Sequence, residues 1–171
     1  MDATPNLESD STRDLLRQIQ TKLQSRHETV ATAESCTGGL MATLLTELSG
    51  SSASYLGGIS AYANSVKLEI LGVSAEELGR FGAVSAEVAK AMAAGARDRL
   101  GATYAVALTG IAGPSGGTAD KPVGTVYCGI ASPEGEESVR LSLSGDRAAI
   151  RRASALTALQ LLGRKIGVEN R

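Results

Sequence analysis

Histidine and cysteine are scarce in this chain: His27, Cys36 and Cys128 are all it has. A closed zinc site built from these types would use all three and still need a carboxylate, so no metal centre is expected. A serine–histidine–aspartate triad would have to use His27, at the end of a polar helical segment just before the first strand. Open α/β sheets bind ligands at the carboxyl ends of their strands, and His27 stands at the other end. A nucleophilic serine here must find a base other than histidine. Two cysteines in separate segments do not imply a disulfide; free thiols in a cytoplasmic protein are expected. Aromatics make up only 3% and tryptophan is absent, so the core must be built from Ala, Val, Ile and Leu. No apolar run approaches the roughly 20 residues of a membrane span. The first eleven residues are polar, lack the apolar centre of a signal peptide, and read as a disordered tail. With a net charge of -1, and no basic cluster denser than Arg147, Arg151 and Arg152, neither nucleic-acid nor membrane binding is expected.

What is there suits one soluble globular domain. The chain has 171 residues, 43% of them hydrophobic and 20% charged, enough for a real core. The expected division is a tail over 1–11, one domain over 12–166 and a short tail over 167–171. Leu15, Leu16, Ile19 and Leu23 form a helical stripe within 12–26. Residues 28–33 read as a strand, 36–49 as a helix stopped by Gly50, and 55–62 as a second strand. The two glycines of that strand suggest a bulge or a close contact. Residues 64–71 read as a helix, and Ser74 with Glu77 as a capping box. Ser85 opens an Ala-rich helix to about Leu100, and 103–108 is a buried-looking strand. Residues 123–131 and 136–143 form a hairpin around Pro133-Glu134-Gly135. Asp146 caps a last helix to about Ile166. This succession predicts a three-layer α/β/α sandwich with a mixed, mostly parallel sheet of about five strands.

Ser35 lies where the first strand meets T-G-G and a helical pattern. A hydroxyl at such a junction lies beside backbone N–H groups that lack intrahelical partners and can bind an anion or a developing oxyanion. That is the geometry of a nucleophile, and equally of a simple helix cap. Cys36 competes for the same role, because a thiol there is activated by the helix dipole. The reading preferred here turns Cys36 into the sheet–helix core, with Ser35 facing the cleft.

Three other segments carry chemistry. In Y-A-N-S-V-K, Tyr62 closes the second strand and Lys67 falls in the first turn of the next helix. Dipole and burial would both lower the lysine pKa, and a partly neutral lysine can act as a general base. From position alone Lys67 reads as a surface residue. The glycine-rich T-G-I-A-G-P-S-G-G-T at 109–118 follows a strand and allows close backbone approach to a ligand; a long turn would look the same. In G-D-R, Arg147 starts a helix with Arg151 one turn later on the same face. Either a phosphate is bound there or the face is simply solvated.

T-A-E-S-C-T-G-G, Y-A-N-S-V-K, G-A-V-S, T-G-I-A-G-P-S-G-G-T, K-P-V-G-T-V and G-D-R, in this order, resemble the CinA C-terminal domain family over about residues 12–165. Its enzymatic members are nicotinamide mononucleotide deamidases, also called PncC amidases. The chain is similar to the stand-alone form. The resemblance implies hydrolysis of nicotinamide mononucleotide to nicotinate mononucleotide and ammonia by a serine–lysine pair, Ser35 and Lys67, with no cofactor. It implies that Tyr62 orients Lys67 or relays a proton. Substrate contacts are expected from Cys36, Thr37, Gly38, Thr109, Gly110, Ile111 and Gly113, and a phosphate contact from Arg147. The oxyanion would be held by amides near Cys36 and Thr37 or by those of the 109–113 loop. A cytoplasmic homo-oligomer is implied. The rival readings are a partner-binding module linked to competence and DNA damage, and an amidase for another carboxamide nucleotide.

Overall fold

The computed structural model describes residue 7 and residues 9–168. Most of the expected N-terminal tail and the last three residues lie outside them.

The elements are α1 (Asp10–Ser25), β1 (Val30–Glu34), α2 (Leu40–Leu45), β2 (Tyr55–Ser60), α3 (Asn64–Glu69), α4 (Ala75–Phe81), α5 (Ala86–Leu100), β3 (Tyr104–Gly110), β4 (Thr125–Ser132), β5 (Gly135–Ser142) and α6 (Arg147–Lys165). The five strands form one sheet in the order β2-β1-β3-β4-β5. β1 pairs in parallel with β2 and with β3, while β4 runs against both β3 and β5. β4 alone is reversed, which gives the mixed, mostly parallel sheet that the sequence predicts.

Alternation along the strands divides the core. Val30, Val106, Leu108, Val126, Cys128 and Ile130 face one layer, where the Leu15, Leu16, Ile19 and Leu23 stripe of α1 packs with α2 and α6. Ala31, Ala33, Ala105, Ala107 and Ala131 face the other layer, against Val88, Met92, Ala93 and Ala96 of α5. Small residues on this face let α5 lie close to the sheet. A Cβ at Gly129 would collide with the carbonyl of Ala89.

Capping follows the sequence closely. Ser74 and Glu77 form the capping box of α4, Ser85 caps α5 through the Val88 N–H, and Asp146 caps α6 through the Ala149 N–H. The bulge expected in β2 is present: Val30 pairs with Tyr55 and Ala31 with Gly57, leaving Leu56 as the extra residue.

One element departs from expectation. The helix predicted over 36–49 is confined to Leu40–Leu45. Gly38 and Gly39 sit at φ +59° and +105°, left-handed values that a right-handed helix cannot contain. Residues 36–39 therefore form a turn, and Ser35 ends β1 without starting α2.

Candidate active site

Ser35 stands at the carboxyl end of β1 and is fixed by the sheet on both sides. Its N–H donates to Leu108 O at 2.8 Å, and the Ala61 N–H donates to Glu34 O at 2.7 Å. Its hydroxyl meets Lys67: Nζ lies 3.1 Å from Ser35 Oγ.

Lys67 is the fourth residue of the six-residue α3. Its side chain folds back toward the start of that helix and is 1% exposed. Nζ also donates to Ala61 O at 2.8 Å and Tyr62 O at 3.2 Å. Burial lowers the Lys67 pKa from the ordinary lysine range, and the nearby Cys36 opposes that only secondarily. Desolvation replaces the helix dipole as the cause, since so short a helix carries little macrodipole at its fourth position. Three donors on an ammonium would serve one hydroxyl and two carbonyls. A neutral amine has two N–H groups for the carbonyls and a lone pair left for the hydroxyl proton.

The turn after Ser35 is held by Glu34, which sequence reasoning left unassigned, and by Arg151, which it offered only as a phosphate ligand beside Arg147. The Glu34 carboxylate is buried and accepts from Gly39 N–H (3.0 Å), Met41 N–H (3.1 Å) and Ala42 N–H (2.8 Å). It takes amides at the start of α2 and so withdraws them from any ligand. From α6, Arg151 donates Nε to Cys36 O at 3.0 Å and Nη2 to Thr37 O at 2.8 Å. The signal for Glu34 was an acid directly before the serine with two glycines close behind. Arg151 stood out only as a cation one turn after Arg147; its hold on a turn more than a hundred residues away had no local signal.

Cys36 is buried in the core with α2 and α6, and its thiol is pushed up to about 11, chiefly by burial. It stays protonated at neutral pH and is a poor nucleophile. Thr37 is also fully buried, with no hydrogen-bond partner for Oγ1 among the described residues, while Gly38 is exposed. Tyr62 meets Lys67 through its main-chain carbonyl; its phenol, 64% exposed, accepts from Arg147 Nη2 at 3.2 Å. Arg147 Nη1 donates to Gly113 O at 2.9 Å, so Arg147 joins the glycine-rich loop to the Tyr62 segment.

Thr109 is buried and its hydroxyl donates to Ala83 O at 2.7 Å, tying the start of the loop to the G-A-V-S segment. Lys121 secures the same segment through Phe81 O (2.9 Å) and Val84 O (2.7 Å). Gly110 pairs with Val126 across β3 and β4, and the Ile111 N–H donates to Thr125 O at 2.9 Å. His27 is exposed at the opposite end of β1. Among the described residues, no three His, Cys, Asp or Glu side chains group to hold a metal ion. No described helix is long and apolar enough to cross a membrane.

The same architecture occurs in solved structures. A competence/damage inducible protein, CihA, from Agrobacterium tumefaciens is 43% identical, with a TM-score of 0.86 over 95% of this chain and 97% of that one. A competence-damaged protein (CinA) superfamily protein from Enterobacter cloacae is 31% identical, with a TM-score of 0.88 over 98% and 99%. Among curated relatives, a CinA-like protein from Nostoc sp. is 50% identical over 155 residues, covering 84% of this chain and 37% of the relative. One from Anaeromyxobacter dehalogenans is 51% identical over 144 residues, covering 84% and 35%. The chain thus spans little more than a third of the length of these curated relatives. Residues 12–166, which carry Ser35, Lys67, Glu34 and Arg151 alike, match the CinA C-terminal domain, and the chain belongs to that family.

Proposed function

We propose that the protein is an amidohydrolase that converts nicotinamide mononucleotide to nicotinate mononucleotide and ammonia through Ser35 and Lys67. The observation that carries this reading is the buried Lys67 amine, 3.1 Å from Ser35 Oγ and fixed by two carbonyls. Burying a cation without a carboxylate partner is costly. A lowered pKa lessens that cost and makes the amine a base matched to a hydroxyl. A module used only for partner binding has no need of this arrangement.

In the proposed cycle, Ser35 Oγ attacks the carboxamide carbon as its proton passes to Lys67 Nζ. The tetrahedral intermediate collapses, Lys67 returns the proton to the departing nitrogen, and ammonia leaves. Water, deprotonated by Lys67, then adds to the acyl-serine and releases the carboxylate. Arg147, beside Tyr62 and Gly113, is the group suited to the substrate phosphate. Water and substrate are the only other reactants, and a homo-oligomer in the cytoplasm is the expected setting.

Incubation with nicotinamide mononucleotide, following ammonia and the acidic nucleotide together, tests the reading. Release of both in equal amounts is expected. Turnover of a different carboxamide nucleotide instead would move the substrate assignment. No turnover of any carboxamide would overturn the amidase reading.

A further inference from the structure

Resting on the acyl-transfer reading above, we infer that Arg151 is a positioning residue that aims the N–H of the exposed Gly38 at the oxyanion formed on attack by Ser35. The guanidinium grips two consecutive carbonyls, those of Cys36 and Thr37. The peptide units that follow them are trans, and in a trans unit C=O and N–H point in opposite directions. Drawing both carbonyls toward α6 therefore turns the N–H groups of Thr37 and Gly38 away from α6. α6 packs on one face of the sheet, while Val66 of α3 and Leu71 just after that helix pack on the other. The two N–H groups are thus directed toward the half of the site from which Lys67 reaches Ser35.

Three further observations agree. Among the described residues, nothing accepts from the N–H groups of Thr37 or Gly38. Of the competing amides, Gly39, Met41 and Ala42 are taken by Glu34 and Ile111 by Thr125 O, which leaves those of Ala112 and Gly113 in the glycine-rich loop. Thr37 Oγ1, in the same turn, is buried without a partner among the described residues. Thr37 is closed to solvent, so in this pinned turn the N–H of the exposed Gly38 is the donor left for an acceptor supplied from outside. Preorganised donors of this kind stabilise an oxyanion without reorganising during the reaction.

The test uses the full chain and Arg151→Met, Arg151→Lys and Arg152→Met. Two rates are read: kcat on nicotinamide mononucleotide, and the rate at which a fluorophosphonate ester labels Ser35, followed by mass spectrometry. In the labelling step the Ser35 Oγ–P bond forms, the P–F bond breaks, fluoride leaves, and the serine proton passes to Lys67.

Arg151→Met is expected to slow both rates on the order of 100-fold. KM for the nucleotide and for the phosphate-free riboside, and the pH midpoint set by Lys67, should stay unchanged. Arg151→Lys, whose single amine reaches one carbonyl at a time, should fall between, and serves as the test if the methionine variant does not fold. Arg152→Met, which removes an equal charge at an exposed neighbour, should match wild type. A rise in KM confined to the phosphorylated substrate would make Arg151 a phosphate ligand and overturn the inference. So would labelling rates unchanged in both Arg151 variants. If wild type hydrolyses no carboxamide but Ser35 labelling still depends on Arg151, the amidase reading fails and the positioning role stands.

Discussion

The Glu34 carboxylate accepts a 2.8 Å hydrogen bond from the backbone N–H of Ala42. That bond, with those from Gly39 and Met41, joins the end of β1 to the start of α2 around the turn that follows Ser35. A carboxylate directly before Ser35 thus does the capping work that a serine or aspartate at the N-cap usually does. It leaves the Ser35 hydroxyl free for Lys67.

Removing that carboxylate should loosen the site and the fold together. Glu34→Ala strands buried donors and is expected to cost about 2–4 kcal/mol of stability in urea unfolding. Glu34→Gln keeps one acceptor oxygen and should lose less. A loss below about 0.5 kcal/mol in the alanine variant would show that the α2 amides find other partners.

Ser35 and Cys36 are adjacent yet chemically opposite. Ser35→Ala should abolish nearly all amide hydrolysis while the thermal midpoint stays near wild type. Cys36→Ala should keep most of the activity, because a thiol held at about 11 contributes no thiolate at neutral pH. An active Ser35→Ala with an inactive Cys36→Ala would reverse the assignment.

Much of this was legible along the chain, where the cause is local. The α1 stripe, the Ser74–Glu77 box, the Ser85 and Asp146 caps and the β2 bulge follow from spacing and side-chain type. The start of α2 was misplaced because Gly38 and Gly39 look neutral in a helical pattern, while their left-handed backbone comes from closing the turn under Ser35. The burial of Lys67 was not legible either. It depends on α3 folding onto the end of β1, and a lysine four residues into a short polar helix looks exposed. Arg151 acts on residues 114 and 115 positions away, which no local pattern encodes.

Arg147 joins Gly113 O to the Tyr62 phenol. If it reads a phosphate, Arg147→Ala should raise KM for the mononucleotide by an amount worth about 1.5–3 kcal/mol. The phosphate-free riboside should be a poor substrate for wild type and gain no further penalty from the mutation. Tyr62→Phe removes only the phenol contact and should have a smaller effect. Equal penalties on both substrates would assign Arg147 to holding the loop.

The protonation of Lys67 links activity to stability. Its folded-state pKa lies below the unfolded value, with burial the leading cause. An unperturbed lysine titrates at about 10.4. The kcat/KM profile should therefore rise along a basic limb whose midpoint lies below that value. Lys67→Arg should be as inactive as Lys67→Ala, because a guanidinium does not release its proton. The sign for stability runs the other way from that of a paired lysine. Between the folded and unfolded pKa values the unfolded chain binds more protons, so the stability of wild type rises with pH through that window. Below the folded pKa the burial penalty is present in full. Lys67→Met has no such group, so its thermal midpoint relative to wild type should be most favourable at neutral pH and decline as pH climbs toward 10. Paired melts of the two proteins across that range, beside the wild-type rate profile, make the measurement. A difference in midpoint that stays flat with pH, or substantial turnover by Lys67→Arg, would mean that Lys67 supplies fixed positive charge and that the base lies elsewhere.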